Sequence, residues 1–204
     1  MSHHDDIPFR TRYRKWLGVA ALFLVCASTL PPLLAGGNDA SRLLDAVRAN
    51  RPDLVRQLVA QGTDINATQP GDGSALIVAS RGGNLAMVDA LIAMGADVNH
   101  ASHSDGTPLI AAAGAGQVAV VERLLAKGAK IDFVAADDET ALISAVRGNH
   151  VQAVESLIRH GADVNLGVLA NGTQWRTPFN QARDTAIRNR LADRGATRDG
   201  IRRR

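Results

Sequence analysis

The sequence predicts an all-α helical solenoid, in which short helix-turn-helix units stack side by side and extended turns link them. Three observations predict it. Glycine and apolar positions recur at a step of 33 residues: Gly62, Gly95, Gly128 and Gly161 form one column, and Leu58, Leu91, Leu124 and Leu157 another. Val55, Val88, Val121 and Val154 keep the same step, as do Leu43, Leu76, Leu109 and Leu142. Four columns in one register mark a repeat architecture, where each unit covers its neighbour's apolar face. Start and stop signals for short helices bracket those columns. Finally, only 3% of the 204 residues are aromatic while 46% are apolar. Alanine, leucine and small aliphatics must therefore do the packing, which suits closely spaced helices.

Residues 1–37 precede the repeat. Arg10, Arg12, Arg14 and Lys15 stand before an apolar run over 16–30, and Pro31 and Pro32 end its helical potential. A basic flank followed by an apolar run is the order of an export signal, with the positive end kept in the cytoplasm. The run is 15 residues long, against the roughly 20 that a membrane span needs. Counting through Ala35 reaches that length, so both a cleaved signal and an uncleaved anchor are expected readings. Small residues suited to cleavage precede the bonds after Gly37 and after Ala27. Cys26, the only cysteine, excludes an intrachain disulfide framework, and Phe23-Leu24-Val25 before it do not suit lipidation.

The repeat domain is expected over 38–197. Its units are a capping unit over 41–67, full units over 71–99, 104–132 and 137–165, and a degenerate cap over 166–196. Ser74, Thr107 and Thr140 stand where a hydroxyl can cap the first helix of a unit. Pro108 and Pro178 occupy the favoured first helical position. Asn50, Gly83, Gly116 and Asn149 fall where that helix stops, and asparagine and glycine tolerate the left-handed conformation of a helix end. A second helix carries Val88, Leu91 and Ile92, or Val121, Leu124 and Leu125, and stops at the glycine column. Extended stretches such as Asp64-Ile65-Asn66 and Asp97-Val98-Asn99 then lead to the turns at Asp72-Gly73, Asp105-Gly106 and Asp138-Glu139.

These units resemble ankyrin repeats. Asp105-Gly106-Thr107-Pro108-Leu109 is similar to that family's turn and helix opening, and Gly161-Ala162-Asp163-Val164-Asn165 to its helix exit and finger base. The resemblance implies an ankyrin-type solenoid of L-shaped units with β-turn fingers. It also implies a protein binder that uses fingers and first helices and carries no chemistry of its own. The chain also resembles exported bacterial ankyrin-repeat proteins. The family often has histidine after the Pro-Leu pair. Ile77, Ile110 and Ile143 take that place here, so apolar stacking is expected instead of a histidine hydrogen-bond network. His150 stands where the family often places a structural histidine.

No residue pattern points to catalysis. Gly114-Ala115-Gly116-Gln117-Val118-Ala119 fits a dinucleotide-binding pattern, but that reading needs a strand before it and an acid about 20 residues later. The repeat register makes Gly116 a helix end. His100 and His103 give two imidazoles, short of the three protein ligands of a catalytic zinc site. There is no paired-histidine zinc motif and no serine elbow. The expectation is a non-enzyme with no cofactor and no metal.

Charge is uneven behind a net of +3. Residues 38–175 hold 10 basic and 15 acidic side chains, whereas 176–204 hold nine arginines and three aspartates. The basic tail over 198–204 lacks the interleaved aromatics that stack on single strands. It suits anionic lipid heads or an acidic protein better than nucleic acid, and a solvated tail is the alternative. Arg48, Arg81 and Arg147 share one column, interrupted by Gly114, and would form a basic strip on the concave face unless they are merely solvated. Phe133 and Val134 fall in a finger where solvent is expected. Trp175 lies in a four-residue insertion before the last unit, either at an interface or folded over the end of the stack. Arg81, Phe133, Arg147 and Trp175 are the candidate partner-binding residues, since arginine and aromatic side chains are frequent anchors. The expected function is a monomeric protein-binding module in the periplasm, free or tethered to the inner membrane. An immunity or inhibitor protein that sequesters a secreted toxin or enzyme is the alternative.

Overall fold

A computed structural model describes residues 38–200, apart from 104, 137, 138 and 171. The expected export segment over 1–37, Asp137 and Asp138, and the terminal arginines Arg202 to Arg204 lie outside the described residues. The helices are α1 (Asn38–Arg48), α2 (Pro52–Ala60), α3 (Ala75–Arg81), α4 (Leu85–Ala93), α5 (Pro108–Gly114), α6 (Val118–Ala126), α7 (Ala141–Arg147), α8 (Val151–Arg159), α9 (Pro178–Gln181) and α10 (Thr185–Asp193). Two antiparallel hairpins interrupt them: β1 (Thr68–Gln69) with β2 (Gly73–Ser74), and β3 (Val168–Ala170) with β4 (Gln174–Arg176).

The hydroxyl signals cap the first helices. The side chains of Ser74, Thr107, Thr140 and Thr177 accept from the backbone N–H of Ile77, Ile110, Ile143 and Asn180 at 3.4, 3.3, 3.2 and 3.0 Å. Each satisfies one amide that the helix leaves without a partner. At the other ends Asn50 and Asn149 hold φ of 52° and 59°, and Gly83 and Gly116 both hold 71°. This is the left-handed conformation that terminates a helix. Gly116 carries a second constraint. A Cβ there would lie 2.5 Å from His150 Nδ1, so the glycine also makes room for the imidazole.

First helices pack on first helices (α1 on α3, α3 on α5, α5 on α7, α7 on α9), and second helices pack on second helices from α4 through α10. The core lies between these two layers. The leucine column of the first helices is buried to 2% exposure or less, as are both columns of the second. Ile77, Ile110 and Ile143 are buried as well, so aliphatic stacking does occupy the histidine position.

Hydrogen bonds between successive units add register. Asn66, Asn99, Asp132 and Asn165 each accept, through Oδ1, from a backbone N–H of the next unit: Asp97, Lys130, Asp163 and Thr197, at 2.8–3.0 Å. A second series links the start of each second helix to the previous unit. Asn84 Nδ2 donates to Asn50 Oδ1, Gln117 Nε2 to the Arg81 carbonyl, and His150 Nε2 lies 3.0 Å from the Gly114 carbonyl. His150 is thus structural. On the second helices, Arg123 pairs with Asp89, Arg159 with Glu122, and Arg190 with Glu155.

The last unit departs from the period. Thr177 follows Thr140 by four residues more than the common step, and the extra length forms the β3–β4 hairpin. Its short α9 has a full capping box, with Thr177 N–H donating to Asn180 Oδ1 at 2.9 Å. Among the described residues no helix is long and apolar enough to cross a membrane.

Candidate functional site

The arginine column sits at the C-terminal ends of the first helices, where a cation complements the exposed carbonyls. Each of its arginines is anchored to a carboxylate in a finger. Arg48 Nη2 lies 2.5 Å from Asp72 Oδ1, and Arg81 Nη2 lies 2.7 Å from Asp105 Oδ1. Both pairs span 24 positions, so one contact repeats in two successive units. The hydrogen bond to Asp72 raises the pKa of the Arg48 guanidinium above its ordinary value; burial opposes it, and the Asp72 charge and Asp45 add to the rise.

The column is broken at Gly114, the last residue of α5, and the third arginine behaves differently: 24 positions beyond Arg147 the sequence has Asn171 in place of an acid. Arg147 turns back within its own unit, and its Nη1 donates to Glu139 Oε2 at 2.7 Å. Arg176 from β4 approaches the same oxygen at 3.9 Å. The carboxylates sit beneath the cations: Asp105 and Glu139 are 8% and 9% exposed, while Arg81 and Arg147 are 45% and 49% exposed. Glu139 Oε1 is buried without a hydrogen-bond partner among the described residues. Ser102 Oγ supports Asp105 through its second oxygen, at 3.4 Å.

Between these pairs lies an open cleft of about 510 Å³, lined by Arg81 and Asp105 on one side and Glu139 and Arg147 on the other, with Gly114 and Ser144 between. Arg183, from the link between α9 and α10, also lines it. The structure therefore brings Arg81 and Arg147 of the candidate residues to one cleft. Neither is a merely solvated arginine, and the strip is a set of anchored pairs with a gap.

Phe133 and Trp175 sit elsewhere. The finger expected in solvent turns inward: Phe133 N–H donates to the Lys130 carbonyl, and the ring is half-buried against the core. Its neighbour Val134 is well exposed, at 43%. Trp175 lies in β4 and pairs with Leu169. Its ring packs over Gly167, and its Nε1–H donates to the Asp199 carbonyl at 2.6 Å. Thr177 Oγ1 donates to the Arg198 carbonyl beside it. Trp175 thus joins the C-terminal segment to the end of the stack, which is the capping alternative. The exposed apolar residue of that hairpin is Leu169, at 47%.

Sequence reasoning missed Glu139 and Arg183 as parts of the cleft. A signal existed for the pairing: Arg48–Asp72 and Arg81–Asp105 share a spacing, and at Gly114 the arginine of that spacing is missing. Arg183 belongs to no column, so only the fold places it.

Among the described residues no group of three histidine, cysteine, aspartate or glutamate side chains could hold a metal ion. No curated protein matches the chain. A family model for ankyrin repeats in three copies matches residues 43–135 and 95–168. Repeats of this kind generally mediate protein–protein interaction and are generally non-catalytic. With the match spanning most of the chain and the helix pairs stacked in its register, the chain belongs to the ankyrin-repeat family.

Proposed function

We propose that the chain is a non-catalytic protein-binding module that acts in the periplasm or cell envelope, free or held at the inner membrane. The observation that carries the binding role is the anchored arginine column on the first-helix face. Arg81 and Arg147 are half-exposed over carboxylates that are themselves buried, whereas the arginines of the second helices pair with carboxylates that are exposed. Arginine supplies directed donors in a rigid fork, which suits a partner surface. Phe133 and Trp175 lie outside the cleft and support the stack, the one in a finger and the other at the link between the hairpin and the C-terminal segment. The envelope location rests on the basic flank and apolar run of the first 37 residues.

Two experiments test the reading. Crosslinking in the intact cell envelope, followed by mass spectrometry, should recover a protein partner, and Arg81→Ala with Arg147→Ala should reduce its capture. Recovery undiminished by both changes refutes the first-helix face. Residues 1–40 fused to an enzyme that works only in the periplasm should give an active reporter, and an inactive one refutes export.

A further inference from the structure

We propose that the gap at Gly114 receives a carboxylate of the partner, an aspartate or glutamate side chain on an acidic segment, held by Arg147 and Arg183; this rests on the protein-binding reading. Glycine at this position is not demanded by the frame. Gly114 lies in helical conformation at the end of α5, and an added Cβ would meet only Ser144 Cβ, at an ordinary 3.5 Å. Glycine is a poor helix former, so its presence costs the helix something and gives it no backbone freedom that it uses. What it does give is space. Arginine occupies the equivalent place in α1, α3 and α7, and its absence from α5 leaves the cleft open.

The charges around that space favour an anion. Among the described residues three arginines line it (Arg81, Arg147 and Arg183) against two carboxylates, Asp105 and Glu139. The carboxylates lie buried behind, so the incoming group meets guanidinium first. Asp105 and Glu139 act as positioning residues. They fix two guanidinium groups before any partner arrives, and each guanidinium has five N–H donors, of which the internal pair uses only some. A fork held in place loses less side-chain entropy on binding and can grip a carboxylate through two parallel hydrogen bonds. Arg183 is exposed and makes no hydrogen bond or ion pair with the described residues, so its charge is available.

The balance points to a carboxylate rather than a phosphate. Among the described residues the lining carries a net charge of +1, from three cations and two anions, which one carboxylate neutralises. The carbonyl ends of α3, α5 and α7 reach the same place and add partial negative charge. A dianion would meet more of that opposing field.

The test uses the full-length protein and fluorescein-labelled octaglutamate, with octaglutamine, acetate and inorganic phosphate as comparators, read by fluorescence anisotropy. Octaglutamate should bind and octaglutamine should not, and binding should weaken steeply with salt. Gly114→Arg, which restores the column and fills the gap, should weaken octaglutamate binding at least tenfold. Arg183→Gln should do so by a similar factor, and it keeps the test decisive should Gly114→Arg fail to fold. Lys127→Gln, at the end of α6 on the other helix layer, should leave binding unchanged. The proposal is overturned by no octaglutamate binding, by equal binding to Gly114→Arg or Arg183→Gln, or by an equal loss in Lys127→Gln. Displacement by phosphate at lower concentration than by acetate also overturns it, in favour of a phosphate site. Loss of the cleft reading with partner crosslinking intact leaves the binding module standing, and octaglutamate binding with no envelope partner does the reverse.

Discussion

Leu124→Ala tests the stacking argument at its centre. Leu124 lies on α6, is 0% exposed, and α6 packs between α4 and α8. Truncating a buried leucine costs the lost transfer energy plus a cavity term, and the sum depends on how far the surroundings collapse. Here both flanking helices belong to stacked units, so little collapse is available and the cost falls at about 3–5 kcal/mol. With a urea dependence of about 2 kcal/mol per molar, the unfolding midpoint drops by about 1.5–2.5 M. The assay is urea unfolding followed by far-ultraviolet circular dichroism, with coincident transitions checked because stacked repeats can lose cooperativity. Val134→Ala, at a 43% exposed finger position, is the control and should change stability by less than about 0.5 kcal/mol. A Leu124→Ala effect as small as the control's would refute the claim that this column is the seam between units.

Gly116→Ala should destabilise by about 1–3 kcal/mol, because it forces a methyl group into left-handed backbone and against the His150 ring. Adding His150→Ala should recover part of the steric share but not the backbone share, which paired melts in a double-mutant cycle resolve. Trp175→Phe keeps a ring over Gly167 but removes the donor to the Asp199 carbonyl. A loss of about 0.5–1.5 kcal/mol is expected, read as faster amide exchange at Thr197 and Gly200 with the central units unaffected.

Local signals were legible because local physics decides them. A hydroxyl three residues before an amide caps a helix wherever the chain goes, and Thr107 and Thr140 do so as their sequence context implies. The buried columns were legible because a 33-residue step has no cause other than stacking. The finger surfaces were not. Phe133 stands beside a polar turn, but the backbone turn at Lys130 directs its ring to the core, and the apolar area gained there outweighs the loop position. Trp175 was ambiguous because β3 and β4 are three residues each, too short for alternation to declare a strand. The ion pairs follow a spacing that could be noticed but not interpreted. Whether Asp105 reaches Arg81 depends on how a finger folds over the preceding helix, and that is a property of the stack.

The frame and the recognition surface can be varied separately, and α5 shows how. Residues 108–113 are buried, so a change at any of them disturbs packing with α3 or α7. Gly114, the seventh and last residue of that helix, stands in the column that faces the fingers instead of the core. Where the paired carboxylate is exposed, as Asp72 is, a side chain in this column can be removed at the cost of one surface ion pair, which is worth roughly 0–1 kcal/mol. Removing a core side chain costs several times more. A repeat protein that needs a new contact therefore loses least by altering the last residue of a first helix. The break at Gly114 occurs at such a position, while the leucine and valine columns on either side of it continue without interruption.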